Sequence, residues 1–536
     1  MRGLMMDTPL LISSLLEHAA KVFPSTEIVT RTVEGPIHRY TWPDVRHRSR
    51  QLAEALRALS VREGDAVATI AWNTHRHLEL YYGVSGMGAV IHTVNPRLHP
   101  SQLIYVLNHA EDRVLFVDLT FVPLVEAVWD QLETVKYLVV LTDRAHMPDT
   151  RIPDALCYED LIAEQPGTYE WPELDENAAA GICYTSGTTG NPKGVVYSHR
   201  SNVLHAYAVS LPTALPVRTD DVVLPVVPMF HVNAWGVPYA AAMTGSKLVM
   251  PGPRLDGPGL TELMNAEGVT GYMGVPTVHL GLLAHWRESG ESVPSLRWVT
   301  NGGAAPGSAM IRDYLQRGID VIHGWGMTET SPVGSISRLT PSEAELPEDD
   351  KVEILVRQGR PIFGVELRIV DTEGKALPHD GNAFGELQIR GPWVSSAYLG
   401  SEPGSALDDE GWFSTGDVAV IHPDAVVQIT DRKKDLIKSG GEWISSIDLE
   451  DVAGRHPEIA MAAVIGVAHP KWGERPLLVA QARPGTSPTP ESVLEFLEGQ
   501  VPKWWLPDDV VFVDALPLGA TGKVQKSRLR ETFAGS

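Results

Sequence analysis

Between about residue 11 and Pro332, strand-length apolar runs alternate with longer stretches of helical spacing, and this alternation narrows the fold more than any other feature of the chain. Val67–Ala71, Arg113–Val117 and Tyr137–Leu141 are short apolar runs. Tyr40–Leu59 instead carries apolar residues at helical spacing behind Thr41, a candidate N-cap. The same order resumes at Ala178, with a helix over Leu260–Glu267, a strand over Gly271–Val275, a helix toward Trp286 and strands over Ser295–Thr300 and around Val321. Such alternation predicts an α/β fold: largely parallel or mixed sheets covered by helices. Ligands of these sheets bind outside the carboxyl ends of the strands. Three loops fall there, after Ala178–Cys183, at Asn301–Pro306 and at His323–Thr330, and they are expected to converge on one crevice.

After Gly359 the texture changes to short alternating runs, Gly364–Val370, Glu386–Arg390 and Val426–Thr430, with a hairpin-like turn at Asp371–Gly374. A β-rich subdomain over about 359–430 is expected, inside an N-terminal domain of residues 1–433. The charged knot Asp431–Asp435 marks a boundary at Lys434. Beyond it, residues 434–536 read as a small α+β domain of helix, strand, strand, helix and strand. No internal repeat or low-complexity segment stands out.

A chain of 536 residues with 43% hydrophobic and 21% charged side chains is long enough for about three to four structural units with sizeable cores. Its net charge of −23 argues against a nucleic-acid groove or an anionic membrane as the main partner. Any anionic ligand must then be held by donors and cations clustered locally. Two cysteines, Cys157 and Cys183, imply neither a disulfide framework nor a cysteine zinc site, which fits a reducing cytoplasm. Arg2 and the apolar run Leu10–Leu16 are separated by Asp7 and Pro9, so this region reads as a helix of the mature protein rather than a signal peptide. Val222–Met243 is long enough to span a bilayer, yet Pro225, Pro228, Pro238, His231 and Asn233 argue against a membrane helix. Buried strands around a ligand pocket are expected there, and no transmembrane segment.

The run Tyr184-Thr185-Ser186-Gly187-Thr188-Thr189-Gly190-Asn191-Pro192-Lys193-Gly194 has the chemistry of a phosphate cradle. Glycines let backbone N–H groups face an anion, hydroxyls add donors and Lys193 adds a positive charge. Its spacing is not that of a P-loop, because Gly187 and Gly190 are too close and glycine follows the lysine. Trp325, between Gly324 and Gly326, offers an indole face to a base. Thr328 can donate to phosphate and Glu329 can hold a hard cation. Asp417, in Ser414-Thr415-Gly416-Asp417, and Arg432 make a plausible sugar clamp, although an aspartate there also suits a simple Asx-turn. Any of these alone is commoner as packing or surface charge.

Taken together they resemble the AMP-forming acyl- and aryl-CoA synthetases, the family that includes firefly luciferase and the adenylation domains of peptide synthetases. Five motifs in the family's order extend the resemblance over essentially the whole chain. It implies a large N-terminal domain, a mobile C-terminal lid, and ATP, Mg²⁺ and coenzyme A. By this resemblance the loop Ser186, Gly187, Thr188, Thr189 and Lys193 grips pyrophosphate. Trp325, Gly303 and Ala304 bracket adenine, Thr328 contacts phosphate, Glu329 with Thr185 holds magnesium, and Asp417 with Arg432 binds ribose. Lys523, in Gly519-Ala520-Thr521-Gly522-Lys523, bridges carboxylate and α-phosphate during adenylation. Lys438 faces the nucleotide in the alternative orientation, reached by rotation about Lys434. Gly440, Gly441 and Trp443 line the pantetheine route.

Pro228–Trp235 is similar to the segment that floors the acyl pocket in fatty-acid relatives, with His231 gating the CoA channel and Trp235, Gly302 and Val333 around the acyl group. Trp235 blocks or opens the acyl tunnel, and a bulky indole at the wall favours a short chain unless it swings aside. The resemblance therefore implies a small carboxylic acid, either 3-methylmercaptopropionate or a short- to medium-chain fatty acid, with long-chain acids as the alternative. It also implies a homodimer. Peptide-synthetase adenylation is disfavoured, because no acidic residue lies between His231 and Met243 to hold an amino group. A catalytically inactive nucleotide sensor would be expected to lack Glu329 or Lys523.

Overall fold

The computed structural model describes residues 3–185, 191–432, 435–439, 442–519 and 524–533, with the backbone alone at Glu442 and Trp443. Ser186, Gly187, Thr188, Thr189, Lys434, Gly440, Gly441 and Lys523 lie outside the described residues. Among those described, the strands form sheets of seven, nine, four and five members.

The seven-stranded sheet contains the three expected strands, at Ala66–Ile70, Val114–Val117 and Tyr137–Val140. All its pairs are parallel except the last, where Ala179–Tyr184 meets Gly194–Ser198 antiparallel. The phosphate cradle thus joins two antiparallel strands, where a P-loop would join a strand to a helix. That is the structural counterpart of its departure from P-loop spacing.

The nine-stranded sheet is parallel through its centre, where Val222–Pro225, Gly271–Gly274, Trp298–Asn301 and Asp320–Gly326 lie side by side, and antiparallel at both edges. Trp42–Ala58 forms the expected helix behind Thr41, and Asp44 caps it by accepting the Thr41 N–H at 2.8 Å. The helix His75–Gly86 is buried at every position.

The Val222–Met243 segment corrects the expectation of strands alone. Only Val222–Pro225 is a strand, and Val237–Thr244 is a helix whose first turn carries Pro238. Proline suits that turn because the first N–H groups of a helix have no intrahelical partner. Between them five successive residues, Val232 to Gly236, have φ of +42°, +57°, +47°, +56° and +78°. Left-handed backbone costs roughly 1–2 kcal/mol for each non-glycine residue, so this turn persists only where its surroundings impose it. Among the described residues, no helix is long and apolar enough to cross a membrane.

The β-rich subdomain is a four-stranded antiparallel sheet in sequence order, Glu366–Val370, Phe384–Arg390, Phe413–Ile421 and Val427–Arg432. The separate C-terminal domain holds the expected helix, two strands, helix and strand, from Ser446–Gly454 to Asp509–Phe512. It adds a short hairpin, Ile437–Ser439 with Glu442–Ile444, and a final helix at Lys526–Phe533. The hairpin was illegible because its strands are three residues long, too short for an alternating pattern to register.

Candidate active site

Asp417 does not sit in a turn. It lies inside the Phe413–Ile421 strand, directly opposite Arg432 in the ladder. Pairing across the sheet brings the two side chains together, and Arg432 Nε is 2.7 Å from Asp417 Oδ1. The other carboxylate oxygen accepts the indole N–H of Trp325 at 3.0 Å. Asp417 is 2% exposed, so its charge is compensated almost wholly by these partners. One buried carboxylate therefore ties the aromatic face to the arginine. Opposite the indole, Gly334 has to be a glycine, since a Cβ there would stand 2.5 Å from the Trp325 ring.

Glu329 belongs to the short helical turn Thr328–Thr330, just after the Asp320–Gly326 strand. Its Oε1 accepts the Tyr398 hydroxyl at 2.8 Å. Burial raises the carboxyl above its usual range, and the Tyr398 hydrogen bond and the charges of Arg432 and Lys193 draw it back. The Lys193 ammonium stands 4.7 Å from the centre of the Tyr398 ring, within cation–π range. Lys193 also closes the cradle hairpin, since its N–H reaches Thr185 Oγ1 at 3.2 Å and its carbonyl accepts the Thr185 N–H at 2.9 Å. Thr185, Lys193, Tyr398 and Glu329 are thus linked in a chain. Thr328, next to Glu329, is tied to the strand Gly194–Ser198 by its carbonyl, which accepts the Tyr197 hydroxyl at 2.7 Å.

Sequence reasoning missed the 391–400 segment that laces this chain together. Ser395 N–H donates to Glu329 O at 2.7 Å, Leu399 N–H to Gly194 O at 2.8 Å, and the Trp393 indole to Val333 O at 3.2 Å. Its legible signal was a pair of aromatics, Trp393 and Tyr398, between Gly391 and Gly400 in a loop.

The Asn301–Pro306 loop is closed by Asn301 Nδ2 donating to Ala304 O at 2.9 Å, and Gly303 takes φ +81°, open to glycine at little cost. Trp235 rests against this loop: a Cβ on Gly302 would stand 2.7 Å from Trp235 Cη2 and 3.2 Å from Gly324 O. Val333 is 6% exposed, with its N–H donated to His205 Nε2 at 3.2 Å. His231 lines a narrow cleft with Phe230, Tyr184, Thr185, Thr93 and Asn95. Among the described residues, nucleotide and acyl candidates thus meet at Gly302, which Trp235 and Gly324 both approach, with His231 beside Thr185 at the cradle's root.

Lys438 lies in the C-terminal sheet opposite Trp443, with its N–H donated to Glu474 Oε2 at 2.9 Å. Contacts join the domains near the boundary, among them Ser446 N–H donating to Asp431 Oδ2 at 2.7 Å and Ser445 Oγ to Thr430 O at 2.6 Å. Farther along the Ser446–Gly454 helix and just past it, Ser308 Oγ is 3.4 Å from Asp451 Oδ1 and accepts from Arg455 Nη2 at 3.3 Å. Among the described residues, no cluster of three or more His, Cys, Asp or Glu side chains is placed to hold a metal. A buried carboxylate flanked by hydroxyls suits instead a cation that takes most of its ligands from water and phosphate.

The sequence model of the AMP-binding enzymes matches residues 16–399, and that of the AMP-binding enzyme C-terminal domain matches residues 448–523. The 3-methylmercaptopropionyl-CoA ligase of Ruegeria lacuscaerulensis is 51% identical over 534 residues, covering 99% of both chains. The medium-chain-fatty-acid–CoA ligase of Ectopseudomonas oleovorans is 49% identical over 534 residues, covering 99% of this chain and 98% of its own. Among solved structures, the anthranilate-CoA ligase AuaEII in complex with anthranoyl-AMP superposes with a TM-score of 0.88 at 25% identity, over 98% of each chain.

Proposed function

Since the chain belongs to the AMP-binding enzyme family and is an adenylate-forming acid–thiol ligase, we propose that its acid is a small one, 3-methylmercaptopropionate or a short- to medium-chain fatty acid. The observation that carries this reading is Trp235, whose indole lies against Gly302; a ring of that size at the acyl wall favours a short chain. The likeness to ligases named for 3-methylmercaptopropionate and for medium-chain acids supports it.

A carboxylate is a poor electrophile, so it first attacks the α-phosphorus of ATP in line, giving acyl-AMP and pyrophosphate. Both reactants are anions, and the site's task is to offset their charge. In this reading Trp325 with Gly303 and Ala304 takes adenine, Asp417 and Arg432 the ribose, Thr328 the α-phosphate, and Lys193 with Ser186–Thr189 the departing pyrophosphate. Glu329 and Thr185 hold Mg²⁺, which when bound neutralises phosphate oxygens. Lys523 bridges the two anions in this first half-reaction. Rotation at Lys434 then replaces it with Lys438, and the CoA thiol enters past His231, Gly440, Gly441 and Trp443 to attack the acyl carbon and release AMP. The reading places the enzyme in the cytoplasm, in keeping with two buried free cysteines, and as a homodimer, which sedimentation velocity measures.

The deciding experiment is kcat/KM for 3-methylmercaptopropionate and for straight-chain acids of rising length, with acyl-CoA formation as the readout. A maximum at the thioether acid or at short to medium chains is expected. A steady rise toward long chains would overturn the reading and favour a long-chain fatty-acyl-CoA ligase.

A further inference from the structure

Side chains that arrive from elsewhere in the molecule hold the backbone on either side of the left-handed turn at Val232–Gly236. Asn73 donates through Nδ2 to the carbonyls of Pro225 and Val227, at 2.8 and 2.9 Å, and accepts the Met229 N–H at 2.7 Å. From the buried helix His75–Gly86, the Tyr81 hydroxyl donates to the Met229 carbonyl and lies 3.3 Å from Asn233 Oδ1, while the Tyr82 hydroxyl donates to Pro238 O at 2.9 Å. Asn233, 3% exposed, is the one side chain of the turn that reaches back into this set. Its Nδ2 is 3.4 Å from Asn202 Oδ1, and the Cys183 thiol is 3.7 Å from its Oδ1. Backbone groups flanking the turn are thereby satisfied by side chains, and its two ends and Asn233 are fixed by partners on other elements.

We propose that this clamp, centred on Asn233 and Tyr81, sets which acids the enzyme accepts by holding Trp235 against Gly302. The proposal rests on the reading of Trp235 as the acyl wall. Asn233 and Tyr81 are positioning residues, acting through the turn and not on the acid itself. When the clamp is intact, the turn cannot relax to the right-handed or extended backbone its residues prefer, and the indole stays where it limits pocket depth. When it is loosened, relaxation of the turn carries Trp235 away from Gly302 and deepens the pocket.

The test is pyrophosphate release by the full chain with butyrate, hexanoate, octanoate, decanoate and dodecanoate, for the unmodified enzyme and for Asn233→Ala, Tyr81→Phe and Ala234→Gly. Both clamp variants should raise kcat/KM for the longest acid relative to the shortest by about tenfold or more, the scale on which pocket shape discriminates acyl length, while KM for ATP holds. Ala234→Gly eases the backbone and leaves the clamp untouched, so its length profile should match that of the unmodified enzyme while its melting temperature rises. Tyr81→Phe keeps the ring in place, and it decides the matter should Asn233→Ala fail to fold. An unchanged length profile in a folded clamp variant overturns the proposal. An unmodified enzyme already best with dodecanoate would instead overturn the small-acid reading.

Discussion

Tyr398 binds its neighbours in two ways at once: its hydroxyl donates to Glu329, and its ring lies under the Lys193 ammonium. Removing the hydroxyl alone leaves the ring to support Lys193 and takes one hydrogen bond from a buried carboxylate. Bonds to charged groups are worth about 1.5–3 kcal/mol. Tyr398→Phe should therefore lower kcat for acyl-AMP formation by about tenfold or more and raise the Mg²⁺ concentration needed for half-maximal rate. Titrating Mg²⁺ in the pyrophosphate-release assay checks both, and an unchanged Mg²⁺ requirement would remove Glu329 from the metal site. Asp417 makes the same point about residues acting in groups. Its two oxygens serve Arg432 and Trp325, so substitutions at the three positions will not add.

Among the elements, the strand Asp320–Gly326 and the loop after it carry the tightest steric requirement. A Cβ on Gly326 would stand 1.8 Å from Pro332 O, a backbone atom that cannot swing away. The pairing with Val333–Ser337 shifts register between Trp325 and Gly326, and this irregularity turns the chain toward Thr328 and Glu329. Gly326→Ala should force the two segments apart, destabilising the protein by about 1–3 kcal/mol, and raise KM for ATP by displacing Trp325. Denaturant unfolding and ATP titration read the two effects separately. A wild-type KM with lowered stability would show that the strand end moves without the indole.

For the molecule as a whole, the question is what holds the C-terminal domain and the lysine it carries. Lys526, three residues beyond Lys523, is 2.7 Å from Glu450 Oε1 and donates to Ser446 Oγ at 2.5 Å. Arg530, on the same final helix, pairs with Asp435 beside the domain boundary at 2.5 Å. Losing one partner of a buried ion pair costs about 3–5 kcal/mol, because the other charge is left uncompensated. Lys526→Met should therefore bring forward the unfolding of the C-terminal domain in scanning calorimetry. It should also slow pyrophosphate release more than thioesterification of supplied acyl-AMP. Equal losses in the two half-reactions would detach Lys526 from the positioning of Lys523.

The chain's local chemistry determined much of this by itself. Period and length of apolar runs are properties of short windows, so Trp42–Ala58, Gly257–Glu267 and the parallel strands were legible, as was a glycine- and hydroxyl-rich cradle that lacks P-loop spacing. The motif residues were recognisable because each carries its chemistry in its own side chain. Pairing partners are a different matter, since they depend on strand register and on segments far apart in sequence. Asp417 and Arg432 were expected to act together, but nothing local set them opposite each other in one ladder, brought Tyr398 to Glu329 from 69 residues away, or drew Tyr81 across 152 residues to Asn233. Nor did any local propensity favour a left-handed turn at Val232–Trp235, where the chain's own preferences point the other way. Tertiary structure alone decided these features, because only packing between distant elements supplies the hydrogen bonds and steric limits that hold them.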